Sequence, residues 1–114
     1  MNKGIQTIIY PVQDLAKSKT LFGRLLGVEP TADTPYYVGF SVGGQDIGLD
    51  PNGHRHGQNG PTAYHHVDDI EGTVQALLEA GAEMVQDIEG VGDGKRIAVL
   101  KDMDGNIIGL TQTP

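Results

Sequence analysis

Hydrophobic and polar residues follow two different periods along this chain of 114 residues. A period of two, rich in β-branched residues and bounded by Gly, Pro or Asp, is typical of strands. It predicts strands at residues 4–12, 36–42, 45–50, 62–67, 83–88, 96–101 and 107–111, with a turn or short strand at 28–35. A period of 3.6 residues predicts two helices, one after the first strand and one after residues 62–67. The order of elements is therefore β-α-β-β-β, twice.

Each predicted helix begins near an Asp and ends at a Gly, as capped helices commonly do. Asp14 is the candidate cap of the first helix, and Asp68 or Asp69 that of the second; Gly27 and Gly81 follow their ends. The apolar face of the first helix comprises Leu15, Ser18, Leu21, Phe22, Leu25 and Leu26. That of the second comprises Ile70, Val74, Leu77 and Leu78. We expect both faces to pack against strands.

The two halves of the chain resemble each other. Thr-Ile-Ile-Tyr-Pro-Val-Gln-Asp-Leu at residues 7–15 recurs in outline as Thr-Ala-Tyr-His-His-Val-Asp-Asp-Ile at 62–70. A repeat in so short a chain indicates one domain built from a duplicated unit. We place the first module at about residues 1–50, the second at 62–114, and a polar linker between them at 51–61. A shared concave face between the modules is where we expect a ligand.

Composition narrows the choice of partner. The formal net charge is −7, from 15 acidic and 8 basic residues, which argues against nucleic acid as a partner. The same charge suits a cationic small molecule, or it simply keeps the protein soluble. No Cys is present, which excludes disulfides and thiolate chemistry. No apolar run approaches the ~20 residues of a membrane span. With no signal-peptide pattern, we expect a cytoplasmic protein that does not bind membranes.

Two motifs point to a family. Val12-Gln13-Asp14-Leu15 follows the first strand, and Lys101-Asp102-Met103-Asp104-Gly105-Asn106 precedes the last. In this order of elements, the chain resembles the vicinal oxygen chelate superfamily, which includes glyoxalase I, bleomycin-resistance proteins, extradiol dioxygenases and fosfomycin-resistance enzymes. The resemblance covers essentially the whole chain. It implies an α+β fold in which two βαβββ modules form a cupped mixed sheet with helices on its outer face.

The resemblance also implies four strand positions that hold a metal ion, usually through His or Glu. In this sequence those positions carry Thr7, Gly48, Thr62 and Gly109. Thr is a poor metal ligand and Gly has no side chain, whereas such sites need His, Asp or Glu. Shifting the register by one residue gives Gln6, Ile47, Pro61 and Ile108, which are no better. We therefore expect no metal and no other cofactor.

Alternation along the strands selects candidate ligand contacts. If Thr62 faces the cup, so do Tyr64 and His66, and Ile9 shares the face of Thr7. His66 is then a ligand contact or a base near neutral pH, unless it is only a partly solvated residue at a strand end. The glycines at positions 48 and 109 either leave room for a ligand, or allow tight backbone packing or a dimer contact.

Other candidates remain open at this stage. Either Tyr37 or the pair Tyr36 and Phe40 faces the cup, where aromatic rings would stack on a planar ligand instead of packing in the core. Asp46 and Asp50 are each two residues from Gly48, so they lie on the same face of the strand. They would contact a cationic ligand or act as a base, or else they are solvated carboxylates. Arg96 pairs with an anionic ligand or with one of these carboxylates. His54 and His56, which flank Arg55 in the linker, belong to a solvated loop, a lid or a weak metal site.

These observations favour a metal-independent protein that binds a small organic molecule, in the manner of drug or metabolite sequestration. The resemblance implies a homodimer whose half-cups enclose the ligand. The alternative is a lyase- or isomerase-type enzyme that uses side chains, with His66 or Asp50 as base and Tyr64 as acid. A third class, in which the outer surface is the functional part, would require a large exposed apolar patch. The sequence leaves open whether the protein is an enzyme.

Overall fold

The computed structural model describes residues 2–53 and 60–114. Its contacts fall into two compact units. The N-terminal unit is Gln6–Thr62, and the C-terminal unit is Met1–Ile5 together with Ala63–Pro114. The elements are β1 Asn2–Pro11, α1 Leu15–Leu26, β2 Ala32–Thr34, β3 Tyr37–Val42, β4 Gln45–Asp50, β5 Thr62–Val67, α2 Ile70–Glu79, β6 Glu83–Gly90, β7 Arg96–Lys101 and β8 Ile107–Gln112. The predicted α+β fold and its repeated β-α-β-β-β order are confirmed.

In the N-terminal unit the strands are ordered β2-β3-β4-β1. β1 and β4 run parallel, whereas β3 is antiparallel to both β2 and β4. Gly43 and Gly44 join β3 to β4 with φ of 58° and 78°, the left-handed conformations that a tight hairpin requires. One face of these strands packs under α1. Its buried core is Val12, Val38, Phe40 and Leu49, against which Leu15, Phe22 and Leu26 of α1 pack.

In the C-terminal unit the strands are ordered β5-β8-β7-β6. β5 is parallel to β8, and the other pairs are antiparallel, so the strands form a mixed sheet. The start of β1 contacts this unit: Asn2 Nδ2 lies 3.0 Å from His65 Nδ1, and Lys3 Nζ lies 2.8 Å from Asp68 Oδ1. The buried core under α2 comprises Val67, Ile70, Val74, Ala98, Leu100 and Leu110.

The helix ends agree with the sequence. Asp14 accepts a hydrogen bond from the backbone N–H of Lys17 at 3.0 Å, and Gly27 ends α1 with φ of 71°. Asp69, rather than Asp68, caps α2 by accepting from the N–H of Gly72 at 3.0 Å. Within the described ranges neither helix is long and apolar enough to cross a membrane.

The predicted apolar face of α1 is too wide. Leu21 and Leu25 are 60% and 69% exposed, although both were expected to pack against the sheet. Successive helical residues are about 100° apart, so Leu21 lies well round the helix from Phe22, which does reach the core. A helix lying on one sheet buries a single stripe, and in α1 that stripe runs through Leu15, Phe22 and Leu26.

The turn between β7 and β8 is organised by one carboxylate. Asp102 Oδ1 accepts from the backbone N–H of Asp104 at 2.9 Å and of Asn106 at 2.8 Å, and Oδ2 accepts from Asn106 Nδ2 at 3.0 Å. The bond from the Asn106 side chain, followed by the backbone bonds, holds the pKa of Asp102 below its ordinary value. The charged form is therefore the one that stabilises the turn.

We predict that Asp102→Asn destabilises the protein at pH 7 and that the difference disappears in acid. Because the folded pKa of Asp102 lies below the unfolded value of about 3.9, its contribution is present above that pH and is lost as the pH falls through the folded pKa. Denaturant unfolding of both proteins at pH 7 and at about pH 2.5 measures the difference between their free energies of unfolding. Asp104→Asn controls for the lost charge. If this difference in free energy did not change with pH, the ionised Asp102 carboxylate would not be what stabilises the turn.

Candidate functional site

In the N-terminal unit, the predicted site residues lie on the face of the strands opposite α1. Thr7 of β1 pairs in register with Asp46 of β4, and Ile9 pairs with Gly48. In β3, Gly39 pairs with Gly48 from the other side. Residues on the intervening positions, including Val38 and Leu49, belong to the core under α1. For β1 and β4 the alternation in the sequence agrees with the two faces that the structure shows.

Tyr37 occupies the space above the two glycines on this face. A Cβ on Gly48 would collide with the Tyr37 hydroxyl and would lie 2.7 Å from Cζ of the ring and 2.5 Å from Ile9 Cδ1. A Cβ on Gly39 would lie 3.0 Å from Cε2 of the same ring. Real Cβ atoms essentially never approach within 3.0 Å of another heavy atom. Gly48 is therefore packed under an aromatic side chain, which differs from the ligand space, the backbone packing and the dimer contact considered from the sequence.

The C-terminal unit repeats this arrangement with another tyrosine. Tyr64 of β5 pairs in register with Gly109 of β8. A Cβ on Gly109 would lie 2.7 Å from Cγ and Cδ1 of the Tyr64 ring and 2.9 Å from Cε1. Tyr64 is accordingly only 6% exposed. In both units a strand glycine makes room for a neighbouring tyrosine ring to lie across the sheet. Aromatic side chains are known to compensate for strand glycines in this way.

Three polar residues lie on the same face as Tyr64: Thr62 and His66 of β5 and Thr111 of β8. His66 follows Tyr64 by two residues, so both side chains lie on one face of β5, and His66 pairs in register with Thr111. The hydroxyls of Thr62 and Thr111 are buried, and among the described residues neither has a hydrogen-bond partner. Sequence reasoning did not select Thr111. Its place two residues after Gly109 on β8 was the available signal, because alternation puts both on one face.

The choice between the aromatic residues of β3 is now resolved. Tyr37 faces the glycines, whereas Phe40 is 1% exposed and belongs to the core under α1, so Phe40 is not a residue of this face. Tyr36, which precedes the strand, is 76% exposed. Strand alternation puts Tyr36 and Phe40 on one face and Tyr37 on the other. Only the pairing of β3 with β4, in which Gly39 lies opposite Gly48, shows which of these faces packs against α1.

The two acidic candidates differ in their surroundings. Asp50 is half-buried at the end of β4, and its Oδ1 accepts from the N–H of Asn52 at 2.8 Å, which closes the following turn. Asp46, two residues earlier on the same face, is exposed. Both therefore add negative charge beside Tyr37, and Asp50 also has a structural role.

Arg96 lies on the helix side of the C-terminal unit rather than beside Tyr64. Both of its terminal nitrogens contact the carboxylate of Glu71 on α2, one of them at 3.0 Å from Oε1. It also lies 3.4 Å from Gln112 Oε1, which accepts from the N–H of Ile70 at the start of α2. Hydrogen bonding to Arg96 lowers the pKa of Glu71, and the same contact raises the pKa of Arg96. The expected pairing with Asp46 or Asp50 is wrong.

The remaining histidines are away from these faces or outside the described residues. His65 alternates with His66 and lies within hydrogen-bonding distance of Asn2 near the start of β1. His54 and His56, with Arg55 between them, lie outside the described residues.

The residues at the four expected metal-ligand positions do not fit a metal ion. Thr7 and Thr62 are buried neutral hydroxyls, and the glycine positions 48 and 109 lie under tyrosine rings. Divalent transition metals require imidazole, thiolate or carboxylate donors. Across residues 2–53 and 60–114, no group of three or more His, Cys, Asp or Glu is arranged to hold a metal. The groups that remain accessible to a ligand on the Tyr37 face are its partly exposed ring and the carboxylates of Asp46 and Asp50, because the threonine hydroxyls and Tyr64 are buried.

We predict that Gly109→Ala and Gly48→Ala lower the free energy of unfolding by about 1–3 kcal/mol, because each added methyl overlaps a tyrosine ring. Urea unfolding measures the loss. Gly90→Ala is the matched control, since Gly90 is also a strand residue but its Cβ position is open. Adding Tyr64→Ala to Gly109→Ala should remove most of the extra cost of the methyl. If Gly109→Ala were as stable as Gly90→Ala, the packing described for Tyr64 would be incorrect.

Known structures share this fold at low sequence identity. An NAD-dependent benzaldehyde dehydrogenase structure from Legionella pneumophila aligns with TM-score 0.76 and 17% identity over 95% of this chain and 98% of that one. A glyoxalase/bleomycin resistance protein/dioxygenase superfamily member from Vibrio splendidus 12B01 gives 0.72 and 18% over 98% of both. Methylmalonyl-CoA epimerase from Mycobacterium tuberculosis aligns with TM-score 0.72 and 17% identity over 99% of this chain and 89% of that one.

No curated protein sequence matches the chain closely enough to count as a relative. The family model for the Glyoxalase/Bleomycin resistance protein/Dioxygenase superfamily, however, matches residues 4–110, nearly the whole sequence. The resemblance drawn from the two motifs is thereby confirmed. The chain belongs to the glyoxalase/bleomycin resistance protein/dioxygenase superfamily.

Proposed function

We propose that this protein binds a small organic molecule without a metal ion, as a drug- or metabolite-sequestering member of its superfamily. The observation that carries the proposal is the packing of Tyr37 on Gly48 and of Tyr64 on Gly109. At two positions where the family resemblance places metal ligands, the chain has no side chain and an aromatic ring fills the space. Ligand recognition then depends on ring faces and on the polar groups beside them.

The chemistry of the two faces supports an aromatic or cationic ligand. Tyrosine rings offer stacking surface and attract cations through their π faces. The carboxylates Asp46 and Asp50 lie on the face of Tyr37, and the whole chain carries a net charge of −7. We assign ligand contact to the partly exposed residues Ile9, Tyr37 and Asp50 on one face and His66 on the other. The other predicted contacts are buried or lie under a ring, namely Thr7, Gly48, Thr62, Tyr64 and Gly109. A few placed polar groups among apolar walls are what small-molecule sites generally use.

The proposal includes a cytoplasmic homodimer in which surfaces of two subunits together enclose the ligand. Sequestration needs no catalytic group, so it agrees with a site built from an aromatic ring and carboxylates. Antibiotic resistance would be one physiological outcome of such binding.

A second candidate function is proton-transfer catalysis by side chains. It is favoured by the position of Tyr64 and His66 on one face of β5, two residues apart, where one can accept a proton and the other donate one. The structural neighbours include methylmalonyl-CoA epimerase, an enzyme whose name describes inversion of a carbon centre in a thioester. In this chain His66 would remove a proton from carbon and Tyr64 would supply one.

We predict that an aromatic or cationic organic compound raises the melting temperature, whereas simple anions do not. At ~100 times its Kd a ligand adds about 2.7 kcal/mol, which is several degrees for a domain of this size. The thermal-shift panel contains flat aromatic antibiotics, bleomycin-type cations, glutathione adducts and methylmalonyl-CoA. Tyr37→Leu should weaken binding about tenfold or more, because the ring face is lost, whereas Tyr36→Leu, on an exposed ring outside the strand, should not.

The same variants separate the two functions. If a compound is turned over, and His66→Ala abolishes turnover while binding is retained, the protein is an enzyme and sequestration is wrong. If a compound binds without turnover and Tyr37→Leu weakens it, sequestration is supported. If no compound class raises the melting temperature, or if Tyr36→Leu is as damaging as Tyr37→Leu, the proposed site is wrong.

A further inference from the structure

Helix α1 presents a second apolar stripe on its exposed side. Leu21 and Leu25, one turn apart, are 60% and 69% exposed and are not part of the core under the helix. Lys17 and Arg24 lie on the same side, because positions i, i+4, i+7 and i+8 share a helix face. We call these four residues the α1 stripe. A solvent-facing helix side normally carries polar residues, so the two neighbouring leucines form a small exposed apolar patch at the centre of this side.

The charge of α1 is opposite to that of the chain. The helix contains Lys17, Lys19 and Arg24 and no acidic residue, whereas the whole chain has a net charge of −7. Lys19 is paired with Asp33 of β2, so the cations of the α1 stripe itself are Lys17 and Arg24. Lys17 is only loosely associated with the cap residue Asp14, at 3.9 Å, and its side chain is 88% exposed. An acidic, partly apolar surface is the natural complement of this stripe.

Such a surface exists on the C-terminal unit, along β6. This strand is last in the strand order, and its exposed residues include Glu83, Val85, Asp87 and Glu89. We call these four residues the β6 edge. Glu83 lies 3.5 Å from Lys101, and Glu89 accepts from the Gln86 side chain, so both carboxylates are held near the strand. Register shifts interrupt the pairing of β6 with β7, a feature that, with charges, commonly keeps edge strands from pairing with other strands.

We propose that two copies of this chain associate by packing the α1 stripe of one on the β6 edge of the other. This inference rests on the homodimer in the proposed function and names the surfaces that hold it together. Leu21 and Leu25 would cover Val85, while Lys17 and Arg24 meet Asp87 and Glu89. A helix of 12 residues and a strand of eight are about 18 Å and 26 Å long, so the two surfaces are comparable in length. A two-fold axis forms this contact twice in one dimer.

Packing of α1 on α1 is the competing arrangement, and charge argues against it. It would bring the Lys17 and Arg24 side chains of two copies together, and like charges across an interface oppose association. The α1–β6 contact instead places basic groups against carboxylates. Its attraction should weaken with salt, because the screening length falls from about 10 Å at 0.1 M to about 3 Å at 1 M.

Charge reversal on each surface tests the pairing, with the dimer dissociation constant measured by analytical ultracentrifugation. Lys17→Glu with Arg24→Glu, and separately Asp87→Lys with Glu89→Lys, should each raise that constant about tenfold or more. The variant with all four changes should return to within about threefold of wild type, since the charges are complementary again. Glu79→Lys with Asp104→Lys, two exposed acids elsewhere, changes the net charge by the same amount as Asp87→Lys with Glu89→Lys and should have no such effect. Circular dichroism melts check that each variant is folded.

A further variant keeps the test informative if charge reversal disturbs α1. Leu21→Ser with Leu25→Ser removes exposed side chains, so it should weaken the dimer without lowering the melting temperature of the monomer. If the wild type is a monomer at about 100 μM, both this inference and the homodimer are wrong. If a dimer forms but ignores both charge reversals, the homodimer stands and the α1–β6 contact is wrong. Sensitivity to the α1 changes alone would indicate α1–α1 packing and overturn the proposal.

Discussion

The close packing of a tyrosine ring on a strand glycine is the constraint on which both functional faces depend. Tyr37 can lie across β4 only because residue 48 has no side chain, and Tyr64 can lie across β8 only because residue 109 has none. The ring and the glycine must therefore change together. The same packing leaves these two strand positions without a metal-ligating side chain and places an aromatic ring over each of them.

Most of the fold follows from local rules that act within a few residues. α1 begins after Asp14 and ends at Gly27. The Asp14 side chain and the left-handed Gly27 satisfy hydrogen-bonding groups at the two ends of the helix backbone. Alternation placed Tyr64 and His66 on one face of β5 without knowledge of the neighbouring strands. It could not do this for β3, because the choice between Tyr37 and Phe40 depends on how that strand aligns with Gly48 on β4.

Contacts between distant residues explain the other misplaced predictions. Arg96 finds Glu71, 25 residues away and on α2, because the sheet brings the start of β7 beside that helix. No local pattern distinguishes this carboxylate from Asp46 or Asp50. Leu21 and Leu25 have the spacing of buried helix residues, yet a helix on a flat sheet buries one stripe only. In the proposed dimer, the β6 edge of a second copy covers these two leucines.

A metal titration measures whether the faces of Tyr37 and Tyr64 lack a metal site. Isothermal titration calorimetry with Zn²⁺, Mn²⁺ and Ni²⁺ should be run on the wild type and on a His54→Ala, His56→Ala variant, which removes the two linker histidines as weak ligands. We predict that no ion binds this variant at one per chain with micromolar or tighter affinity. Threonine, glycine and tyrosine offer none of the donors that these ions require. One ion per chain bound tightly by the variant would contradict this prediction, since the ion would then occupy a site these faces do not provide.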